Sequence, residues 1–144
     1  MIPLTIARPW IHLPFDAPLR VLSWTLNSPG FAEAPAISWR EVRNADLTPE
    51  LDVRTWLQSE LDGLGRSTDV CFLTSRDVRA VTERTASVDG TTVRAVATAG
   101  LSSAEHSGAR LDRSGKDWGT INVAVICETA LADAALIETL AIAA

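Results

Sequence analysis

Lysine and tyrosine are nearly missing from this chain of 144 residues: Lys116 is its one lysine, and tyrosine does not occur. Most mechanisms that use a Schiff-base lysine or a tyrosine as the acid are therefore excluded. The two cysteines, Cys71 and Cys127, lie in apolar runs, where burial raises a thiol pKa and favours inert packing over a disulfide framework. The two histidines, His12 and His106, have no partners at metal-ligand spacing, so we expect neither a metal site nor a cofactor.

Long hydrophobic runs and clustered basic residues are also missing. The most apolar stretch, residues 121–127, contains Asn122 and is far shorter than the roughly 18 residues that cross a bilayer. The N-terminus has no basic segment followed by an apolar block, so we expect a cytoplasmic protein without a secretory signal. The net charge is −5 and the pI is near 4.9, which disfavours nucleic acid as a partner. A homo-oligomer is one arrangement that the composition allows.

Proline is confined to the first third of the chain, where all seven prolines lie between Pro3 and Pro49. Because proline interrupts helices, this third is predicted to be rich in strands. Residues 19–26 and 36–42 have the alternating, β-branched and aromatic pattern of strands, and residues 27–30 form a turn signal between them.

The rest of the chain alternates between helix and strand signals. Thr48 and Pro49 predict the N-cap and first position of a helix that continues to Leu61 and stops at Gly63 or Gly65. The succession predicts one α/β domain over residues 1–144, with a mixed β-sheet and about three helices. Its further elements are strands at 70–73, 91–98 and 121–127 and helices at 75–85 and 131–144, the last without a C-terminal cap and so expected to fray or to be truncated.

The segment between the last two predicted strands is the strongest candidate for chemistry. It is a loop of about twenty residues, a length that is uncommon in compact domains and is often functional. Its glycines and hydroxyls would let backbone amides approach an oxygen that carries negative charge. The alternative is a flexible surface loop with ordinary turn chemistry. The candidates here are Thr98, Gly100, Ser102, Ser103, His106, Trp118, Gly119 and Thr120.

Asn122 is a polar side chain near the start of the most apolar strand. A buried amide needs partners, so Asn122 either fixes the neighbouring loop or faces a ligand. If the two strands pair, Thr98 and Asn122 would face the same crevice at the end of the sheet. His106 lies beside Glu105, which would orient it for proton transfer, although a solvated loop histidine is the simpler interpretation. Trp118 is either a core anchor or an apolar wall for a flat ligand.

Four motifs together resemble the adenosylcobinamide amidohydrolase family over roughly residues 19–144. They are Arg20-Val21-Leu22-Ser23, Phe72-Leu73-Thr74-Ser75-Arg76-Asp77-Val78, Ala97-Thr98-Ala99-Gly100-Leu101-Ser102 and Gly119-Thr120-Ile121-Asn122, with Leu131 to Leu136 following. The resemblance implies a corrinoid-salvage enzyme that takes a small-molecule corrinoid. Such an enzyme hydrolyses the amide between aminopropanol and a propionate arm of the corrin ring, giving adenosylcobyric acid.

Amide hydrolysis requires a nucleophile or activated water, donors for the oxyanion and an acid for the leaving amine. The backbone amides at 100–103 and 119–120 are candidate donors. Thr98, Ser102 or Thr120 could provide a hydroxyl, and Asp77, Glu128 or His106 could transfer the proton.

The sequence does not choose among these roles. The residues that we expect in catalysis are Thr98, Ser102, His106, Asn122 and Asp77, and those that we expect in substrate binding are Gly100, Ser103, Trp118, Gly119 and Thr120. Two positions depart from the family pattern, because Ser103 and Trp39 stand where the family has asparagine. These departures motivate a second hypothesis, a non-catalytic corrinoid-binding or carrier protein related to the family.

Overall fold

The structure is a computed structural model that describes residues 2–100, 108 and 119–144. Its described elements are seven β-strands, two α-helices and two short 3₁₀ turns, arranged in two separate sheets. The expected α/β class with a strand-rich first third is confirmed.

The first sheet has the strand order β1-β2-β3-β4. Its strands are β1 (Thr5–Ala7), β2 (Trp10–Ser23), β3 (Gly30–Glu41) and β4 (Val70–Thr74). All neighbours are antiparallel except β3 and β4, which are parallel. This sheet is therefore mixed, and its parallel pair needs the long crossover that contains the first helix. The single mixed sheet expected from the sequence is wrong in one respect, because the described strands form two sheets.

The second sheet is an antiparallel meander in the order β5-β6-β7. Its strands are β5 (Thr82–Val88), β6 (Thr91–Ala99) and β7 (Ile121–Cys127). Asp89 and Gly90 connect β5 to β6 and both have positive φ, 49° and 79°. A two-residue type I′ β-hairpin turn requires positive φ at both central residues, and Asp-Gly is one of the pairs that adopt it most readily.

The two α-helices are α1 (Val53–Gly63) and α2 (Asp133–Ala143). The N-cap of α1 is Asp52, whose carboxylate accepts the Thr55 backbone N–H at 3.2 Å. The predicted cap at Thr48 is therefore wrong by four residues. Asp52 is the better cap because its side chain satisfies an otherwise unpaired N–H of the first turn.

The helix predicted over residues 75–85 is wrong, and the described chain has two α-helices instead of about three. Val78–Ala80 form a single 3₁₀ turn, and β5 begins at Thr82. The carboxylate of Asp77 accepts the Arg79 N–H at 2.9 Å and stabilises a local turn. From Thr82 onwards, backbone pairing with β6 outweighs the weak helical spacing of Val78 and Val81.

A hydrophobic core lies between the two sheets. Ile11 and Trp39 from the first sheet pack with Val96 and Ala124 from the second, and Trp39 stacks on Phe72 with ring centroids 5.3 Å apart. Trp39, one of the departures from the family pattern, is therefore at the centre of the core. Its indole N–H has no hydrogen-bond partner among the described residues, a cost that its large buried apolar surface offsets.

Helix α1 covers the other face of the first sheet. Leu57 and Leu61 pack against Cys71 of β4, and all three are buried. Burial raises the pKa of the Cys71 thiol to about 12, which disfavours the thiolate that a nucleophile requires. No helix in the described ranges is both long and apolar enough to span a membrane.

Candidate functional site

Strands β4, β6 and β7 bring polar side chains together at one end of the intersheet layer. Thr98 of β6 is paired with Asn122 of β7 in the strand register, as expected if these strands were neighbours. The Asn122 amide Nδ2 donates to the Leu73 carbonyl oxygen at 3.0 Å and to Thr98 Oγ1 at 3.4 Å. Asn122 therefore bonds the edge of the second sheet to the edge of the first.

The segment that contains Gly100 and the segment that contains Gly119 meet at the same end of the intersheet layer. The Gly100 N–H donates to the Thr120 carbonyl oxygen at 2.8 Å. A Cβ atom at Gly100 would lie 3.2 Å from the Thr120 nitrogen and 3.3 Å from Ser75 Oγ. This space is tighter than an ordinary side-chain contact, so glycine permits the close approach of three chain segments.

Ser75 completes this group and is missed by sequence reasoning. Its backbone N–H donates to Thr120 Oγ1 at 3.1 Å, and the two hydroxyls are 3.4 Å apart. The sequence feature that could have identified Ser75 is its position directly after a buried strand. The incorrect prediction of a helix over residues 75–85 assigns Ser75 to that helix instead. We call Ser75, Thr98, Gly100, Thr120 and Asn122 the rim cluster.

A buried carboxylate, Glu41, holds the turn that carries Ser75. Glu41 is 4% exposed, accepts hydrogen bonds from Arg8 and Arg43, and also accepts the Val78 N–H at 3.1 Å. Arg43 in turn donates to the Ser75 carbonyl oxygen at 3.1 Å. The hydrogen bond from Arg8 is the main cause that lowers the pKa of Glu41 below its usual value. Sequence reasoning misses Glu41, although a lone acid in the predicted strand 36–42 is a visible signal.

Asp77, a candidate for proton transfer, is engaged by Arg79. The two side chains form an ion pair in the turn after β4, and this contact is the main cause that lowers the pKa of Asp77 well below its usual range. An aspartate that stays ionised can accept a hydrogen bond but has no proton to give to a leaving amine near neutral pH.

Gly119, expected in substrate binding, lies beside the rim cluster, because a Cβ atom at Gly100 would be 3.3 Å from the Gly119 Cα. The remaining expected site residues do not join the rim cluster among the described residues. Ser102, Ser103, His106 and Trp118 lie outside the described residues. Glu128 follows the far end of β7, six residues beyond Asn122, and is exposed. Within ranges 2–100 and 119–144 and at residue 108, no three histidine, cysteine, aspartate or glutamate side chains form a group that could hold a metal ion.

A second polar group joins β2 and β3 of the first sheet to the segments that precede β3 and β4. We call His12, Asn27, Ser38 and Asp69 the buried cluster. Ser38 Oγ donates to Asp69 Oδ2 at 2.7 Å, and His12 Nδ1 lies 3.2 Å from Ser38 Oγ and 3.3 Å from Asp69 Oδ2. Asn27 donates to the Asp69 carbonyl oxygen at 2.8 Å and accepts the Cys71 N–H at 3.1 Å.

The buried cluster has the residue types of a serine hydrolase without its arrangement. In a catalytic triad the histidine accepts the serine proton and the acid orients the histidine. Here Ser38 is fully buried, at 0% exposure, and bonds directly to the acid. Burial, followed by the charge of Arg66, lowers the pKa of His12. The cluster satisfies polar groups inside the fold and offers no accessible nucleophile.

A family model described as adenosylcobinamide amidohydrolase (CbiZ) matches residues 4–144. The chain belongs to the adenosylcobinamide amidohydrolase family. The match extends the motif resemblance by fifteen residues towards the N-terminus and includes β1 and β2. Searches of curated proteins and of solved structures gave no match. Membership implies amide hydrolysis and a corrinoid substrate at the level of the family.

Proposed function

We propose that this chain hydrolyses the aminopropanol amide of adenosylcobinamide to give adenosylcobyric acid, and that the rim cluster is its active site. The observation that carries the proposal is the convergence of the family-like segments. The segments that follow β4 and β6 and precede β7 are far apart in sequence, yet Ser75, Gly100 and Thr120 are within contact distance. Membership of the family supplies the reaction class.

Asn122 is the residue best placed to orient the substrate amide. Its hydrogen bonds to Leu73 and Thr98 both use Nδ2 as the donor, and this fixes the side chain in one orientation. Its Oδ1 is then the atom through which Asn122 would accept the N–H of the scissile amide. A rigid acceptor at this position holds the carbonyl carbon in place for attack.

The hydroxyls of Ser75 and Thr120 are the second element of the proposal. Both side chains are half-buried, whereas the Thr98 hydroxyl is fully buried and already accepts from Asn122. Ser75 and Thr120 would therefore contact the attacking oxygen or the developing oxyanion, while Thr98 positions Asn122. Ser102 and His106 stay candidates for the nucleophile and for proton transfer.

The overall reaction consumes one water molecule. A bond forms between a water oxygen and the amide carbon, the carbon–nitrogen bond breaks, and the amine leaves with a proton. The products are the carboxylate of adenosylcobyric acid and free aminopropanol. Asp77 is ionised by its contact with Arg79, so in this proposal it does not protonate the leaving amine.

The test is to incubate the chain with adenosylcobinamide in ¹⁸O-labelled water and to separate the products by chromatography with mass detection. We expect adenosylcobyric acid with one ¹⁸O in the new carboxylate, and free aminopropanol in equal amount. Adenosylcobyric acid incubated alone controls for exchange. Saturable corrinoid binding with a spectral change and no acid formed would overturn the proposal and favour the carrier hypothesis.

A further inference from the structure

A groove of about 920 Å³ opens beside the rim cluster. Its walls are the second half of β2, strands β4 and β7, and helix α2. This volume is at the upper end of the range for ligand sites in proteins. Representative lining residues are Leu19, Trp24, Phe72, Val123, Leu136 and Leu140.

The groove presents apolar surface that remains exposed among the described residues. Trp24 is 73% exposed and Ile121 is 65% exposed. Helix α2 is apolar apart from Asp133, Glu138 and Thr139, yet none of its residues is buried. A helix that is hydrophobic on all sides is normally buried, and contiguous exposed apolar surface marks a binding site.

The charges along the groove are few. Among the described side chains that line it, only Arg20 and Glu128 are charged. Arg20 is paired with Asp133 at the start of α2 and lies over the Phe31 ring at 5.2 Å. The groove therefore suits a large ligand with apolar faces rather than a polyanion.

The groove is continuous with the rim cluster. Asn122 and Leu73 line the groove, and they are joined by the hydrogen bond from the Asn122 amide to the Leu73 carbonyl oxygen. A macrocycle seated against the apolar walls would extend a side arm directly to Asn122. A corrinoid has this form, a broad flat ring with amide-bearing arms.

We infer that the groove binds the corrin ring of the substrate, with Trp24 against a ring face and the scissile arm at Asn122. This inference rests on the proposed function for the identity of the ligand. The indole of Trp24 supplies a flat, exposed surface at low conformational cost. The occupant that we infer is the substrate, because the groove reaches Asn122 of the rim cluster.

The test compares two substitutions of valine by tryptophan within the second sheet. Val123→Trp fills the groove from β7, whereas Val88→Trp, on exposed β5 and away from the groove, is the matched control. Equilibrium dialysis with adenosylcobyric acid, followed by its visible absorbance, measures Kd without turnover. We expect Val123→Trp to raise Kd at least about 10-fold and Val88→Trp to leave it unchanged.

Trp24→Ala is a second variant, chosen because the side chain of Trp24 is largely exposed, so we expect its removal to cost little folding stability. We expect it to raise Kd by about 10-fold through the loss of ring contact. Thermal unfolding followed by circular dichroism checks that each variant folds. Unchanged Kd in both Val123→Trp and Trp24→Ala would overturn the inference.

The remaining outcomes separate this inference from the proposed function. A wild-type dimer in sedimentation velocity that Val123→Trp dissociates, with Kd unchanged, would assign the groove to a second copy and overturn the inference. If the wild type binds corrinoid in the groove but forms no acid, the inference holds and the proposed function fails. If the wild type forms acid and Val123→Trp also forms acid with unchanged KM, the proposed function holds and the inference about the groove fails.

Discussion

The rim cluster and the buried cluster each contain a serine and an asparagine in a hydrogen-bonded group, but they differ in access. In the buried cluster, Ser38 and Asp69 bond to each other inside the first sheet, and Ser38 has no exposed surface. In the rim cluster, Ser75 and Thr120 are half-buried at the strand ends, and Asn122 lines a large groove. A serine, a histidine and an acid in contact are therefore insufficient evidence for hydrolysis. Access to a ligand-sized space separates a candidate site from internal polar packing.

The largest expected difference between the clusters is in their asparagines. Asn122→Ala removes the acceptor proposed to hold the scissile amide, so we expect kcat/KM for adenosylcobinamide to fall roughly 100-fold. Asn27→Ala is the matched control, because the Asn27 amide also makes two hydrogen bonds to other chain segments, in the buried cluster. Each variant should lose about 1–3 kcal/mol of unfolding free energy, since each leaves buried groups unpaired.

Steady-state kinetics and urea unfolding of both asparagine variants provide the measurement. We expect both variants to lose similar unfolding free energy, and only Asn122→Ala to lose turnover. Full activity of Asn122→Ala would reduce this residue to a structural bond between the sheets.

Ser38→Ala tests the buried cluster directly. Removing the Ser38 hydroxyl leaves the buried Asp69 carboxylate without its shortest donor, so we expect unfolding free energy to fall by about 2 kcal/mol. Turnover of adenosylcobinamide should be unchanged. Ser59→Ala, on the exposed face of α1, is the control for loss of a serine hydroxyl and should be close to neutral. A variant at Ser38 that is stable but inactive would move the active site to the buried cluster.

Gly100→Ala tests how closely the segments of the rim cluster must approach. The added Cβ would press on the Thr120 backbone and on Ser75 Oγ, so we expect a shift of a few tenths of an ångström and a fall in kcat/KM of roughly 10-fold. Gly63→Ala is the matched control, because Gly63 is helical and a Cβ atom added there would have nothing within 4 Å. That control should gain about 0.5–1 kcal/mol of stability. Equal activity in both variants would show that the close approach is unimportant.

The smallest effect is the pH dependence that arises from His12. Its pKa is lowered in the folded protein, so the unfolded chain binds the proton more readily. The unfolding free energy should therefore keep its full value above pH 7. It should decrease as the pH falls through about 6.5, the ordinary pKa of histidine. The lowered carboxyl pKa values of Glu41, Asp52 and Asp77 act at more acidic pH and do not enter this range.

Urea unfolding of wild type and His12→Gln between pH 7.5 and 5.5 measures this dependence. The wild type should lose more stability than the variant over the interval, and His106 contributes to both proteins alike. Greater wild-type stability at pH 5.5 would mean that the contact with Asp69 outweighs the burial of His12.

Much of the fold follows from local patterns in the sequence. The strands at 70–73, 91–98 and 121–127 and the helix ending near Gly63 match β4, β6, β7 and α1 within a few residues. Their patterns are strong because each element contributes apolar side chains to one of the two hydrophobic clusters. The helix predicted over 75–85 fails because β5 is exposed along its whole length and has no hydrophobic pattern of its own. Pairing with β6, a long-range contact, decides its structure.

The candidate site is predictable only in part. Thr98 and Asn122 are expected to face each other because strand pairing is a simple geometric consequence of two adjacent strands. Ser75 and Glu41 are missed because their roles depend on contacts with Thr120 and Arg8, which are 45 and 33 residues away in the chain. The division into two sheets, and with it the groove, depends on packing that no local pattern encodes.

The most direct test of the proposed active site is an NMR titration of the ¹⁵N-labelled chain with adenosylcobyric acid in the dark. We expect the largest shifts at the backbone amides of Gly100, Thr120 and Val123 and at the side-chain amide of Asn122, with little change at Asn27 or Ser38. Shifts centred on the buried cluster, or none at the rim cluster under saturating corrinoid, would contradict the assignment of the active site.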